Sequence, residues 1–127
     1  MRTLINKVSF FLLLSIAGIA LASCELDGPL AIYKIVVNEN PLKIQTEIMA
    51  NVDSVNYEFA QRPCEKDYAV AKFKSVCADM QRYFDENRGK LIWSSFSFDV
   101  CLYNMSSHDG GPEGLLVDTR TIDYCSE

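Results

Sequence analysis

The pattern of hydrophobic and polar positions divides the chain into an apolar N-terminal run, several short strand-like segments and one long segment with helical spacing. Residues 8–21 are almost wholly apolar and are interrupted only by small residues. The residues before them include Arg2 and Lys7 and no acid. A basic start followed by a short apolar run and small residues is typical of an export signal. We therefore expect residues 1–23 to be a signal peptide and residues 30–127 to form a single domain.

Three segments after the signal have the composition of short strands. Residues 30–37 are rich in Ile and Val, Pro41 marks a break, and residues 42–52 and 54–59 resume a strand-like pattern around Asn51-Val52-Asp53-Ser54. The sequence therefore predicts three strands before residue 60.

Residues 65–87 have the spacing of an amphipathic helix. Pro63 before the segment and Gly89 after it are suitable start and stop signals. The apolar positions that share one stripe are Ala69, Phe73, Val76, Met80, Tyr83 and Phe84. This stripe predicts a helix that packs on the core.

The C-terminal part predicts a hairpin with a long loop. Residues 93–103 alternate between apolar and polar positions, a polar glycine-rich segment follows at 105–114, and residues 115–125 again have strand composition. The whole order is then βββαββ. This order predicts an α+β domain in which one amphipathic helix covers a small antiparallel sheet.

The end of the apolar N-terminal run, Leu21-Ala22-Ser23-Cys24, resembles the lipobox of bacterial lipoproteins. The resemblance is limited to the export signal. It implies that Cys24 is acylated, with chains such as palmitate, and that residues 24–29 are a short leader between the membrane and the domain. Cleavage after Ala22 fits equally well, because Ala20-Leu21-Ala22 satisfies the small-x-small rule and would release a soluble protein. Both interpretations remain open.

The five cysteines favour the lipid-anchored interpretation by their parity. If Cys24 carries lipid, four cysteines remain, and an oxidising compartment would join them into two disulfides. The rise per residue along the predicted helix and strands places Cys64 level with Cys101, and Cys77 level with Cys125. We therefore expect the disulfides Cys64–Cys101 and Cys77–Cys125.

Charge and composition limit the partners and the chemistry. Without the signal, 10 basic residues face 17 acidic ones, a net charge of −7 that would repel nucleic acid. The only histidine is His108, so a cluster of histidines around a metal is impossible. Beside Ser106 and Ser107 in a Gly-Gly loop, it lacks the rigid placement that catalysis requires. We expect no enzymatic activity, no metal and no cofactor.

Recognition of another protein is the function that these residues favour. The candidate contact residues lie in the polar loop and among the neighbouring aromatics: His108, Asp109, Glu113, Trp93 and Tyr103. We expect a protein-binding module of the inhibitor or immunity type, anchored by lipid at the cell envelope and facing the periplasm or the cell exterior. The alternative is a soluble secreted eukaryotic effector, toxin or ligand that carries a glycan at Asn104, because Asn104-Met105-Ser106 is a glycosylation sequon.

Overall fold

The structure is a computed structural model that describes residues 31–38, 43–106 and 114–127. Within these ranges, five elements follow one another in the order βααββ. They are β1 (Tyr33–Asn38), α1 (Thr46–Gln61), α2 (Lys66–Glu86), β2 (Phe96–Asn104) and β3 (Leu115–Tyr124). The chain is thus α+β, but the predicted order βββαββ is wrong.

The three described strands form one antiparallel sheet with β2 in the centre. Ile35 of β1 lies opposite Leu102 of β2, and Val100 of β2 lies opposite Arg120 of β3. The side chains of a strand alternate between the two faces, so one face of this sheet is apolar and packs under both helices. The core residues on that face are Tyr33, Ile35, Phe98, Val100, Leu102, Ile122 and Tyr124.

Helix α1 replaces the strands predicted for residues 42–52 and 54–59. Ile48, Val52, Val55 and Phe59 are all buried and follow one another at intervals of four, three and four residues. That spacing places them on one face of a helix, which packs over β1. The strand prediction was wrong because it followed the β-branched composition of this segment, whereas burial of a continuous stripe decides the structure. Two helices, and not one, therefore cover the sheet.

Helix α2 confirms the helix predicted over residues 65–87. Pro63 stops α1, because its ring cannot continue a helix, and Cys64 turns the chain with a left-handed φ of 73°. The Cys64 N–H donates to the carbonyl oxygen of Ala31 at 2.7 Å, which ties the turn to the chain just before β1. The two helices consequently run antiparallel across the same face of the sheet.

An aromatic cluster joins the C-terminal end of α2 to the sheet. The Phe84 ring makes edge contacts with Phe96, Phe98 and Tyr124, at centroid distances of 5.3, 6.0 and 5.9 Å. The Tyr124 hydroxyl accepts hydrogen bonds from the backbone N–H groups of Gly89 and Leu91. The turn after α2 is thus tied to the last residue of β3.

Neither predicted disulfide is present, because Cys77, Cys101 and Cys125 carry free thiols. Cys101 accepts hydrogen bonds from Asn38 and Thr119, which places its sulfur on the sheet face away from the helices. Cys64–Cys101 therefore fails because the two residues lie on opposite sides of the sheet.

The pair Cys77–Cys125 fails for a different reason. Cys77 is buried on the side of α2 that faces the sheet, and its charged neighbours are Asp118 and Arg120 in the middle of β3. Cys125 follows the end of β3, about 17 Å farther along the strand from Arg120 at the usual rise per residue. Cys77 therefore lies level with the middle of β3, and not with the residue after its end as the rise per residue predicts.

Side-chain amides from the two helices hold the outer edges of the sheet. On β1, Asn56 of α1 accepts the Ile35 N–H at 2.6 Å and donates to the Ile35 carbonyl oxygen at 3.0 Å. On β3, Gln81 of α2 accepts the Asp123 N–H at 3.0 Å and donates to its carbonyl oxygen at 2.8 Å. Each amide bonds the edge as a further strand would, which blocks pairing with another chain at that residue.

Candidate functional site

An open groove of about 480 Å³ lies between α1 and α2 on the outer side of the helix layer. The antiparallel helices bring the start of α1 beside the end of α2. The groove extends from Glu47 to Glu58, about 16 Å at the rise of a helix. The residues that line it are Glu47, Ile48, Asn51, Ser54, Val55 and Glu58 from α1 and Lys72, Ser75, Val76, Asp79, Met80 and Tyr83 from α2.

The floor of the groove is apolar and its rim is acidic. Ile48, Val55 and Met80 form the floor, and each is nearly buried because it also belongs to the core. Three carboxylates on the rim, those of Glu47, Glu58 and Asp79, face a single lysine. An apolar surface bordered by excess negative charge is suited to an apolar side chain with cationic neighbours.

The end of the groove near the α1–α2 turn is held by a cluster of charged and aromatic side chains. Lys72 lies 3.7 Å from the Glu58 carboxylate, which also accepts a hydrogen bond from the Tyr68 hydroxyl. That hydrogen bond raises the pKa of Tyr68, because the neutral phenol is the donor. The guanidinium of Arg62 stacks 3.5 Å above the Tyr68 ring. Glu58 is thus fixed in place at this end.

Arg62 is itself fixed by a two-point contact with Glu65. Its Nη2 and Nε donate to the two carboxylate oxygens at 2.6 and 3.1 Å. This contact lowers the pKa of Glu65 and raises that of Arg62, since it favours the charged form of both. The pair is exposed to solvent, so its role is to orient Arg62 over the tyrosine.

The opposite end of the groove is formed by Tyr83. Its hydroxyl donates to the Gln45 side-chain oxygen at 2.5 Å, across the gap between the end of α2 and the start of α1. Burial raises the pKa of Tyr83, and the nearby charge of Glu47 adds to that effect. The Tyr83 ring therefore remains a neutral wall at this end of the groove.

Hydroxyl, amide and carboxylate groups supply the polar chemistry of the groove. Ser54 and Ser75 are the hydroxyls on α1 and α2 that line it, and no described histidine or cysteine lies among the lining residues to activate them. Within the described ranges, no cluster of three or more His, Cys, Asp or Glu side chains has a geometry that could hold a metal ion.

The residues that the sequence predicted for partner binding are not brought together. Trp93 and Tyr103 lie at opposite ends of β2, where Trp93 packs on Phe96 before the strand and Tyr103 lies on the face away from the helices. His108, Asp109 and Glu113 lie outside the described residues, as does Cys24. The proposed contact surface around the 105–114 loop stays a prediction.

Asn104, the residue of the glycosylation sequon, is buried at the end of β2. Its side chain is 2% exposed, and its Oδ1 accepts hydrogen bonds from the backbone N–H and the hydroxyl of Ser106. A glycan attached to this amide would have to displace the side chain from its position in the fold.

The groove residues of α1 were missed because their segment was interpreted as two strands. Glu47, Asn51, Ser54 and Glu58 follow one another at intervals of four, three and four residues, beside the buried stripe of the same helix. A polar stripe with helical spacing next to an apolar one would have revealed both the helix and the rim.

Comparison with known proteins gives no relative from which a function could be transferred: no family model, curated protein or solved structure matches this chain. Among the described residues, no helix combines the length and the apolar character that a membrane span requires.

Proposed function

We propose that this chain is an exported, non-enzymatic binding module that recognises a basic protein segment through the groove between α1 and α2. The observation that carries the proposal is the combination, in one open groove of fixed geometry, of an apolar floor with an acidic rim. The ligand of this groove is a segment with an apolar anchor side chain flanked by Lys or Arg.

The apolar floor supplies affinity. Ile48, Val55 and Met80 are anchored in the core, so binding would order few side chains that are mobile beforehand. A site that is formed in advance loses less entropy on binding than one that must be assembled. Met80 adds a polarisable thioether to this floor.

The acidic rim supplies selectivity for cationic segments. Glu58 is neutralised in part by Lys72, whereas Glu47 has no ion pair among the described residues. Asp79 pairs with Arg82 on the exposed surface of α2, where solvent weakens the contact. The net charge of −7 of the mature chain extends the same field over the surface and would accelerate encounter with a basic partner.

A labelled amphipathic peptide of leucine and lysine tests the groove, with binding to the purified protein measured by fluorescence anisotropy. We expect saturable binding that weakens as salt is raised. Reversing two rim charges, Glu47→Lys with Asp79→Lys, is expected to weaken it about tenfold, since each exposed ion pair contributes about 0.2–1 kcal/mol and each reversal adds repulsion.

The matched control reverses two exposed acids that lie outside the groove, Asp53→Lys with Glu86→Lys. The net charge changes by the same amount, so general attraction to the peptide changes equally. A second pair of variants tests the space itself: Ser54→Tyr fills the groove, whereas Ala60→Tyr adds the same side chain elsewhere on exposed α1. If both members of each pair weakened binding equally, the groove would not be the binding site.

Export and membrane attachment rest on the N-terminal sequence. The basic and apolar start of residues 1–23 and the tetrad Leu21-Ala22-Ser23-Cys24 support a lipid-anchored protein of the cell envelope. The parity of the cysteines no longer adds support, because the two predicted disulfides are absent and three thiols are free. The N-terminal sequence alone carries this part of the proposal.

The mass of the mature N-terminus after reduction tests the attachment. A thioether-linked diacylglycerol on Cys24 survives reduction and would support a lipid anchor. A chain that begins at Ser23 would replace it with a soluble secreted protein. Neither result bears on the groove, so the two parts of the proposal are tested separately.

A further inference from the structure

We propose that two copies of this chain pair through the outer edges of their β3 strands, in the antiparallel register that centres on Thr119. The partner is thus a second copy of the chain, bound by extension of the sheet. The proposal does not depend on the function of the groove, which lies on the outer side of the helix layer.

The hydrogen-bonding direction of β3 is set by its contact with α2. Gln81 bonds both backbone groups of Asp123, so these groups point away from β2. Along an antiparallel strand this direction repeats at every second residue, and the register between β2 and β3 is unbroken from residue 118 to 124. The backbone groups of Thr121 and Thr119 therefore also point outward.

This stretch of the edge is open. Thr119, Arg120 and Thr121 are all exposed, and the outward N–H of Thr121 has no partner among the described residues. The N–H of Thr119 is bonded by the Asp118 carboxylate at 2.8 Å, a local substitute that another strand would displace. The opposite edge differs, because Asn56 and α1 cover β1.

Charge and the position of Gln81 select one register. A two-fold axis at Thr121 would pair the backbone groups of Asp123 with the second copy, but Gln81 already bonds these groups. An axis at Arg120 would set this arginine opposite its own copy. An axis at Thr119 sets Asp118 opposite Arg120 of the second copy and repeats that contact by symmetry.

The geometry of this register also favours the ion pairs. Thr119 and its copy would form a hydrogen-bonded pair, so Asp118 and Arg120 fall at the non-hydrogen-bonded positions on either side, where facing side chains are closest. Within one chain, Arg120 Nε lies 3.7 Å from Asp118 Oδ2, a long contact between half-exposed groups. The two charges are thus available for a second chain.

Sedimentation of the full chain over a range of protein concentrations tests the pairing. We expect a reversible dimer whose dissociation constant rises about tenfold or more in Arg120→Asp, because like charges then face each other twice. The exchanged variant Asp118→Arg with Arg120→Asp is expected to restore the dimer. Lys74→Asp makes the same change of charge on an exposed part of α2 and is expected to have no effect.

A backbone variant tests the same edge without charge. Thr121→Pro removes an N–H that points away from β2, so the β2–β3 pairing retains its hydrogen bonds while the open edge is lost. We expect a folded monomer, with circular dichroism like that of the original chain. A chain that stays monomeric at the highest concentration reached, or a dimer that persists unchanged in both Arg120→Asp and Thr121→Pro, would overturn the proposal.

Discussion

Replacing Asn56 by alanine removes the side chain that holds the outer edge of β1. Its amide makes two hydrogen bonds with the backbone of Ile35, at 2.6 and 3.0 Å, and Ile35 is 1% exposed. A buried backbone group left without a partner costs about 1–3 kcal/mol, so two such groups are expected to cost about 2–6 kcal/mol. That is a large part of the roughly 5–15 kcal/mol by which a domain is stable.

The matched comparison is Gln81→Ala on the other edge. Gln81 makes the same two bonds with Asp123, but Asp123 is exposed and water can replace the lost amide. We expect a loss of about 1 kcal/mol or less. Urea unfolding followed by circular dichroism measures both values, and an unchanged slope with denaturant would show that the same surface unfolds in each variant.

Hydrogen exchange at the Ile35 amide gives an independent measurement. This amide is expected to be protected in the original chain and to exchange faster in Asn56→Ala, whereas it should be unaffected in Gln81→Ala. Equal losses of stability in the two variants would refute the reasoning, because they would mean that water reaches the β1 edge as readily as the β3 edge.

Two further predictions concern single residues. Burial raises the pKa of Cys77 from 9.0 to about 11, so the unfolded chain loses this proton first. The neutral thiol contributes fully to stability below pH 9, and the free energy of unfolding should fall by about 2 kcal/mol as the pH rises toward 11. This fall should be absent in Cys77→Ala and present in Cys125→Ala. Equal slopes of unfolding free energy against pH in all three chains would contradict the prediction. Gly114 has a φ of 84°, and a Cβ there would overlap the Asn104 carbonyl oxygen. Gly114→Ala should therefore destabilise the fold by about 2 kcal/mol or more, measured by thermal unfolding. An unchanged midpoint temperature would contradict this prediction.

The sequence predicted the elements whose pattern is complete within one segment. The stripe from Ala69 to Phe84 predicted α2 to within one residue at each end, and the alternation from Phe96 to Leu102 identified the buried face of β2. Helical and strand periodicities are local properties, so they can be recognised without knowing what lies on the other side of the core. Helix α1 carries the same kind of signal in the spacing of Ile48, Val52 and Phe59, but the β-branched residues of its segment favour strands, so the two local signals conflict.

The sequence by itself therefore determined where α2 and the three strands of the sheet lie, and which residues of α2 and β2 face the core, although it also predicted strands where α1 lies. Only the tertiary structure decided which sheet face each cysteine occupies, that α1 and α2 border an acidic groove, and that Asn56 and Gln81 bond the two edges of the sheet. The physical reason is that a side chain's partner depends on how separate elements cross, and a shift of a few ångströms in that crossing, as between Cys77 and Cys125, exchanges one partner for another.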